Sequence, residues 1–105
     1  MTDMNSRLNL DSVPSHSPDV VARVVRGEAI LVLTEQSKVK VLNELGTRIW
    51  GLVDGQQSIR QIAARLCQEY EVDPAQAEGD TLDFLAELLG RGLLEVRMPS
   101  SQGIG

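Results

Sequence analysis

The side chains that could do chemistry in this chain are few and scattered. Asp80 and Asp83 lie three apart, which sets two carboxylates on one helical face, the spacing a general acid and base would need. No histidine, hydroxyl nucleophile or glycine-rich phosphate loop converges on them, so they read as a solvated surface. The single histidine, His16, and the single cysteine, Cys67, exclude an internal disulfide, a multi-cysteine zinc site and a histidine-pair metal site. Cys67 follows Leu66 at the margin of a helical stripe and reads as a small apolar residue. Gly90-Arg91-Gly92 has the composition of a helix stop, not of a phosphate cradle. Catalysis by this chain alone, a cofactor and a bound metal are therefore not expected. The chemistry that remains is recognition: Lys38 and Lys40 alternate with Val39 and Val41, two cations and two branched apolar residues on opposite faces of one extended segment.

The elements that must position these residues fit in one domain, because 105 residues support a single small core. Only Trp50, Tyr70 and Phe84 are aromatic, so that core is aliphatic, with Trp50 as an anchor. Residues 1–18, with four serines and two prolines, read as a flexible arm, and residues 97–105 as a disordered tail. The domain then spans residues 19–96. No apolar run is long enough to cross a membrane or follows a basic start, so a cytoplasmic protein without a membrane partner is expected.

Within the domain, Val20–Val25 is β-branched and ends at a turn through Arg26 and Gly27. Ala29–Leu33 is a continuous apolar run, as expected of a central strand covered on both faces. Lys38–Leu42 alternates and completes an antiparallel meander. From Asn43 the period changes to that of a short helix ending near Asp54-Gly55. Ser58-Ile59-Arg60-Gln61 is a capping-box start for a second helix to about Tyr70, and Asp73-Pro74 opens a third, to Gly90 or Arg91. On a wheel, this third helix spreads Ala77, Thr81, Leu82, Phe84, Leu85, Ala86, Leu88 and Leu89 over an arc of roughly 200°. Such an arc calls for a further packed segment, and Leu93–Val96 is available, or for a binding surface. The sum is an α+β fold, a three-stranded antiparallel sheet followed by three helices.

Helices two and three, joined by a short turn, have the layout of a helix-turn-helix, which raises DNA binding by the third helix. That helix carries Asp73, Glu78, Asp80, Asp83 and Glu87 against Arg91 alone, and the whole chain has a formal net charge of −5. Phosphate would be repelled, so no nucleic-acid partner is expected.

Val41-Leu42-Asn43-Glu44-Leu45-Gly46, Ile49–Gly55, Ile62–Leu66, Asp80–Leu88 and Gly92-Leu93-Leu94, at these spacings, resemble the PqqD family over about residues 20–96. The resemblance implies a winged helix-turn-helix-like domain that is not an enzyme. It implies a peptide chaperone that binds the leader of a ribosomally made precursor peptide, often as an added strand beside the third strand and against the third helix. The peptide is then delivered to a modifying enzyme, a radical S-adenosylmethionine protein or a leader peptidase.

The physical basis for such binding is general. An edge strand at Lys38, Val39, Lys40, Val41 and Leu42 offers unpaired amides and carbonyls to an extended peptide, and an apolar wall of Leu82, Leu85, Ala86 and Leu89 would supply pockets. Lys38 and Lys40 would meet acidic side chains, although lysines on an edge strand also guard against aggregation. The exposed edge leaves a monomer and an edge-strand dimer both open. The rival readings are a winged-helix DNA-binding regulator and an accessory subunit that binds a folded enzyme.

Overall fold

The computed structural model describes residues 8–97. Eight elements follow in the order β1 (Val13–His16), β2 (Val20–Val25), β3 (Glu28–Leu33), β4 (Lys38–Val41), α1 (Glu44–Leu52), α2 (Ile59–Tyr70), α3 (Pro74–Gly90) and β5 (Leu94–Arg97). Strands β2, β3 and β4 form one antiparallel sheet in that order, the meander expected from sequence, while β1 and β5 pair in a separate two-stranded sheet.

Local rules account for most of the element boundaries. Arg26 (φ 55°) and Gly27 (φ 82°) both lie in the left-handed region, the paired positive values of a tight hairpin turn, which a glycine adopts without strain. In β3 the apolar run does not mean burial on both sides. Ala29, Leu31 and Leu33 point into the core, whereas Ile30 and Val32 are only half-buried. The strand register places Val32 between Val21 and Val39, and Ile30 between Arg23 and Val41, so the outer face is a branched apolar surface open to solvent. Branching suits a pleated strand whether or not the face is covered, which is why the run alone misleads.

Each helix begins at a side-chain cap. Asn43 Oδ1 accepts from Gly46 N at 2.8 Å. The capping box at α2 is complete, with Ser58 N donating to Gln61 Oε1 (2.8 Å) and Gln61 N to Ser58 Oγ (3.2 Å). Asp73 Oδ2 accepts from Ala75 N at 3.1 Å ahead of α3. Helices α1 and α3 approach closely at Gly46, where a Cβ would stand 3.1 Å from the Phe84 ring. Arg48 and Glu69 tie α1 to α2 through two hydrogen bonds of 2.8 and 2.6 Å. The aliphatic core gathers Leu31, Leu42, Ile49, Trp50, Ile59, Ile62, Leu85 and Leu88.

The expected flexible arm is overturned for residues 8–18, and the expected domain limits of 19 and 96 fall with it. Leu8 is buried against the core, and β1 pairs with β5 from Val13↔Arg97 to His16↔Leu94. The carbonyls of Ser12 and Leu10 accept from Ile59 N (2.9 Å) and Arg60 N (2.8 Å), two first-turn amides of α2 with no partner inside their own helix. Arg60 also pairs with Asp11 at 3.1 Å. His16 stacks on Trp50 with ring centroids 3.7 Å apart, and its Nε2–H donates to the Trp50 carbonyl at 2.9 Å. Serines and prolines that signal disorder by composition are here consumed by backbone bonds to α2 and β5. Residues 1–7 and 98–105, the rest of the expected arm and tail, lie outside the described residues.

Deleting residues 1–17 removes Leu8 from the core and leaves the α2 amides and Trp50 without these partners. Unfolding free energy should fall by about 3 kcal/mol or more. A urea midpoint unchanged by the deletion would show the segment to be an arm after all.

Candidate functional site

Strand β4 is an edge of the three-stranded sheet, and its outer side pairs with no strand among the described residues. The ladder parity determines which of its backbone groups are free. Leu42 N donates to Ala29 O at 2.8 Å, so with β3 running antiparallel the hydrogen-bonded pairs are Leu42↔Ala29, Lys40↔Leu31 and Lys38↔Leu33. Val39 and Val41 fall between them. Their N–H and C=O groups point away from β3, toward the open edge, while their side chains, 60% and 56% exposed, stand on the outer face.

Facing that edge is one side of α3 formed by Asp80, Phe84, Glu87 and Arg91, spaced by four, three and four residues. Between this side of α3, β4 and α1 lies a hollow of about 340 Å³ bordered by Lys40, Val41, Asn43, Leu45, Phe84 and Glu87. A second hollow of about 140 Å³ sits at the other end of β4, bordered by Leu33, Lys38, Val39, Lys40, Gly90 and Arg91. Lys40 borders both. Its Nζ lies 3.0 Å from Glu87 Oε2, which Arg91 Nε also approaches at 3.2 Å, so an ion-pair chain links strand to helix across the groove. The Lys40 hydrogen bond holds the Glu87 carboxyl below its ordinary value, partial burial opposes, and Arg91 adds to the lowering.

The residues expected from sequence divide between this groove and the core. Lys38, Val39, Lys40 and Val41 lie along the edge, and Leu42 is buried beneath it while bordering the larger hollow. The expected helical wall is corrected. Leu85 is fully buried, Leu89 packs partly buried against the core, and Leu82 and Ala86 border a hollow with Leu8 instead of β4. The broad apolar arc of α3 is wide because it meets the first described residues as well as the core. The wall that faces β4 is Asp80, Phe84 and Glu87, which the sequence reading passed over because two of the three are acidic. Their common face at helical spacing, with one of only three aromatic residues in the chain, was the available signal.

Among the described residues no group of three or more His, Cys, Asp and Glu side chains could hold a metal ion. No helix of the described residues is long and apolar enough to cross a membrane.

An α+β domain with a helix-turn-helix-like pair, an open sheet edge and a helix set against that edge defines a small winged-helix recognition module. The family model described as coenzyme PQQ synthesis protein D (PqqD) matches residues 28–94, and the chain belongs to this family. It is 37% identical over 71 residues to the bifunctional coenzyme PQQ synthesis protein C/D of Methylorubrum extorquens, covering 68% of this chain and 18% of that protein. It is 30% identical over 91 residues to a PqqA binding protein of Xanthomonas oryzae pv. oryzae, covering 87% of this chain and 99% of that one. Among solved structures it resembles TbiB1 in complex with the TbiA(beta) leader peptide, with a TM-score of 0.73 and 32% identity over 77% of this chain and 94% of that one. It also resembles the PqqD truncation of Methylobacterium extorquens PqqCD, described as a stand-alone recognition element for ribosomally synthesised and post-translationally modified peptides. There the TM-score is 0.73 and the identity 30%, over 89% of this chain and 99% of that one.

The Lys40–Glu87 bridge carries a sign in pH. Because the folded Glu87 carboxyl is lowered from 4.5, the bridge contributes fully above that value and is lost as pH falls through the lower, folded one. Carboxyl-carbon NMR should show Glu87 titrating below 4.5, and Lys40→Met should move the midpoint up. A midpoint indifferent to Lys40→Met would mean that the bridge does not hold the groove.

Proposed function

We propose that this chain is a non-catalytic peptide chaperone. It binds the leader segment of a ribosomally made precursor peptide as a further strand on β4 and presents it, in the cytoplasm where such peptides are made, to a modifying enzyme. The observation that carries this reading is the free β4 edge, with the amides and carbonyls of Val39 and Val41 turned outward beside the Asp80–Phe84–Glu87 face of α3. Two relatives support it by what they bind: PqqA for the Xanthomonas protein and a leader peptide for TbiB1.

Strand addition divides the recognition. Backbone pairing supplies affinity that is largely independent of sequence, and alternate side chains supply selectivity. Peptide residues on the outer face meet Val39 and Val41, and those on the inner face meet Lys40 and Phe84. Two or three buried anchors at about 1.5–3 kcal/mol each, against about 2–5 kcal/mol for ordering the peptide, reach micromolar affinity only when the strand pairing adds to them. The third helix, with Glu78, Asp80, Asp83 and Glu87 along it, gives the DNA-binding alternative no support.

Amide NMR with a synthetic leader from the precursor encoded beside the gene should shift residues 38–43 together with 80, 84 and 87, and a DNA duplex should shift none of them. Val39→Pro removes one outward N–H from an edge strand, a tolerated position, and should keep the fold while weakening the leader about tenfold or more. Lys40→Pro removes an inward bond to β3 and should loosen the sheet itself. Normal leader affinity in a folded Val39→Pro protein would sink strand addition, and shifts with DNA in place of peptide would favour the regulator.

A further inference from the structure

The smaller hollow beside β4, of about 140 Å³, is unbalanced in charge. Lys38, Lys40 and Arg91 border it, and among the described residues no acidic side chain does. Lys38 and Lys40 are also the only lysines in a chain whose formal net charge is −5. Glu87 answers part of the excess from beside the hollow, where its Oε2 accepts from Lys40 Nζ at 3.0 Å and from Arg91 Nε at 3.2 Å. Lys38 forms no ion pair among the described residues. Three cations thus face one carboxylate, and a second carboxylate would still be outnumbered. Glu87 does not depend on Lys40 alone, since Arg91, one helical turn further on, keeps it compensated if Lys40 turns to another acid.

Strand geometry says where a second carboxylate would come from. Val39 and Val41 turn their amides and carbonyls outward, so an antiparallel strand added to β4 exchanges its hydrogen bonds with those two residues. Lys40 then falls in a non-hydrogen-bonded pair, where facing Cα atoms stand about 4.5 Å apart instead of about 5.5 Å and side chains lie closest. The residue opposite Lys40 points its side chain to the same face, toward α3. We propose that Lys40 is a specificity-determining residue: it reads a Glu or Asp of the bound peptide at the position opposite it, and Glu87 holds that place in the free protein. Lys38 and Arg91 flank the incoming carboxylate, whereas an amide at that position leaves Lys40 with Glu87. A polyanion is not the occupant, because the net charge of the chain repels repeated phosphate. The peptide as carrier of the carboxylate rests on the strand addition proposed above, while the charge imbalance does not.

The leader of the precursor encoded beside the gene tests this at about 0.15 M salt, where distant charges are largely screened. Each of its acidic residues is changed in turn to the matching amide, and binding to the full chain is followed by amide NMR. One such change should weaken binding about threefold or more, the scale of an exposed ion pair, and should cost nothing further in Lys40→Met. Glu87→Gln, which releases Lys40, should tighten the acidic leader by a similar factor and leave the amide-bearing leader where it was. Glu78→Gln removes the same charge from the same helix away from both hollows and should alter neither. A leader with no acid in the segment that pairs with β4, a loss that survives Lys40→Met, or a Glu87→Gln protein that holds the acidic leader no better would overturn the proposal. When the leader shifts residues 38–43 yet is indifferent to every acid-to-amide change, strand addition stands and the carboxylate subsite falls. A leader that shifts none of those residues sinks strand addition, and the subsite with it.

Discussion

The antiparallel pairing of Val13–His16 with Leu94–Arg97 decides which side of α3 is core and which is free. By bringing the first and last described strands together, it seats Leu8 against Leu82 and Ala86 and buries Leu94 in the same core as Leu88. The broad apolar arc of α3 is thereby spent on stability. A chain this small with three aromatic residues has little apolar area to spare, so drawing its first described residues into the core is a direct way to enlarge it. The opposite side of α3 is left with the more polar face of Asp80, Phe84, Glu87 and Arg91, and this side confronts β4.

That division bears on how the edge is kept available without being a hazard. An unpaired strand edge invites self-association, and β4 meets this with two lysines in a strand of four residues. Lys40 does more than repel another edge, since its bond to Glu87 spans the groove that an incoming strand would enter. With Lys40 27% and Glu87 44% exposed, water screens much of the attraction, and such a pair exchanges readily with another acid. Under the proposed strand addition, this latch would open as the peptide enters, and a carboxylate on the peptide could take the place of Glu87.

What the sequence made legible is what local chemistry decides. Ser58 with Gln61, Asp73 with Pro74, and Arg26 with Gly27 each determine an element boundary through neighbours a few residues away, and the structure has all three. The edge position of β4 follows from the meander order and was legible too. The β1–β5 pairing was not, because its partners lie at opposite ends of the domain and β1 is written in Val-Pro-Ser-His, a composition that says coil. From that one omission came a different wall for the groove: with residues 8–18 read as an arm and only Leu93–Val96 to cover part of it, the arc of Leu82, Leu85, Ala86 and Leu89 looked available for binding. His16 was misplaced for the same reason, since its stacking on Trp50 exists only once β1 is docked.

The groove is also polar along its length, and this gives an extended ligand a direction. Lys38 and Arg91 border the hollow at the start of β4, Asp80 and Glu87 border the one at its end, and Lys40 borders both. Backbone pairing alone is indifferent to a shift of two residues, because every second amide presents the same pattern. Charges of opposite sign at the two ends remove that degeneracy: a chain slid along the edge would leave at least one of its charges facing its like. Under the proposed strand addition, the ends of the groove would set the register and its middle the affinity.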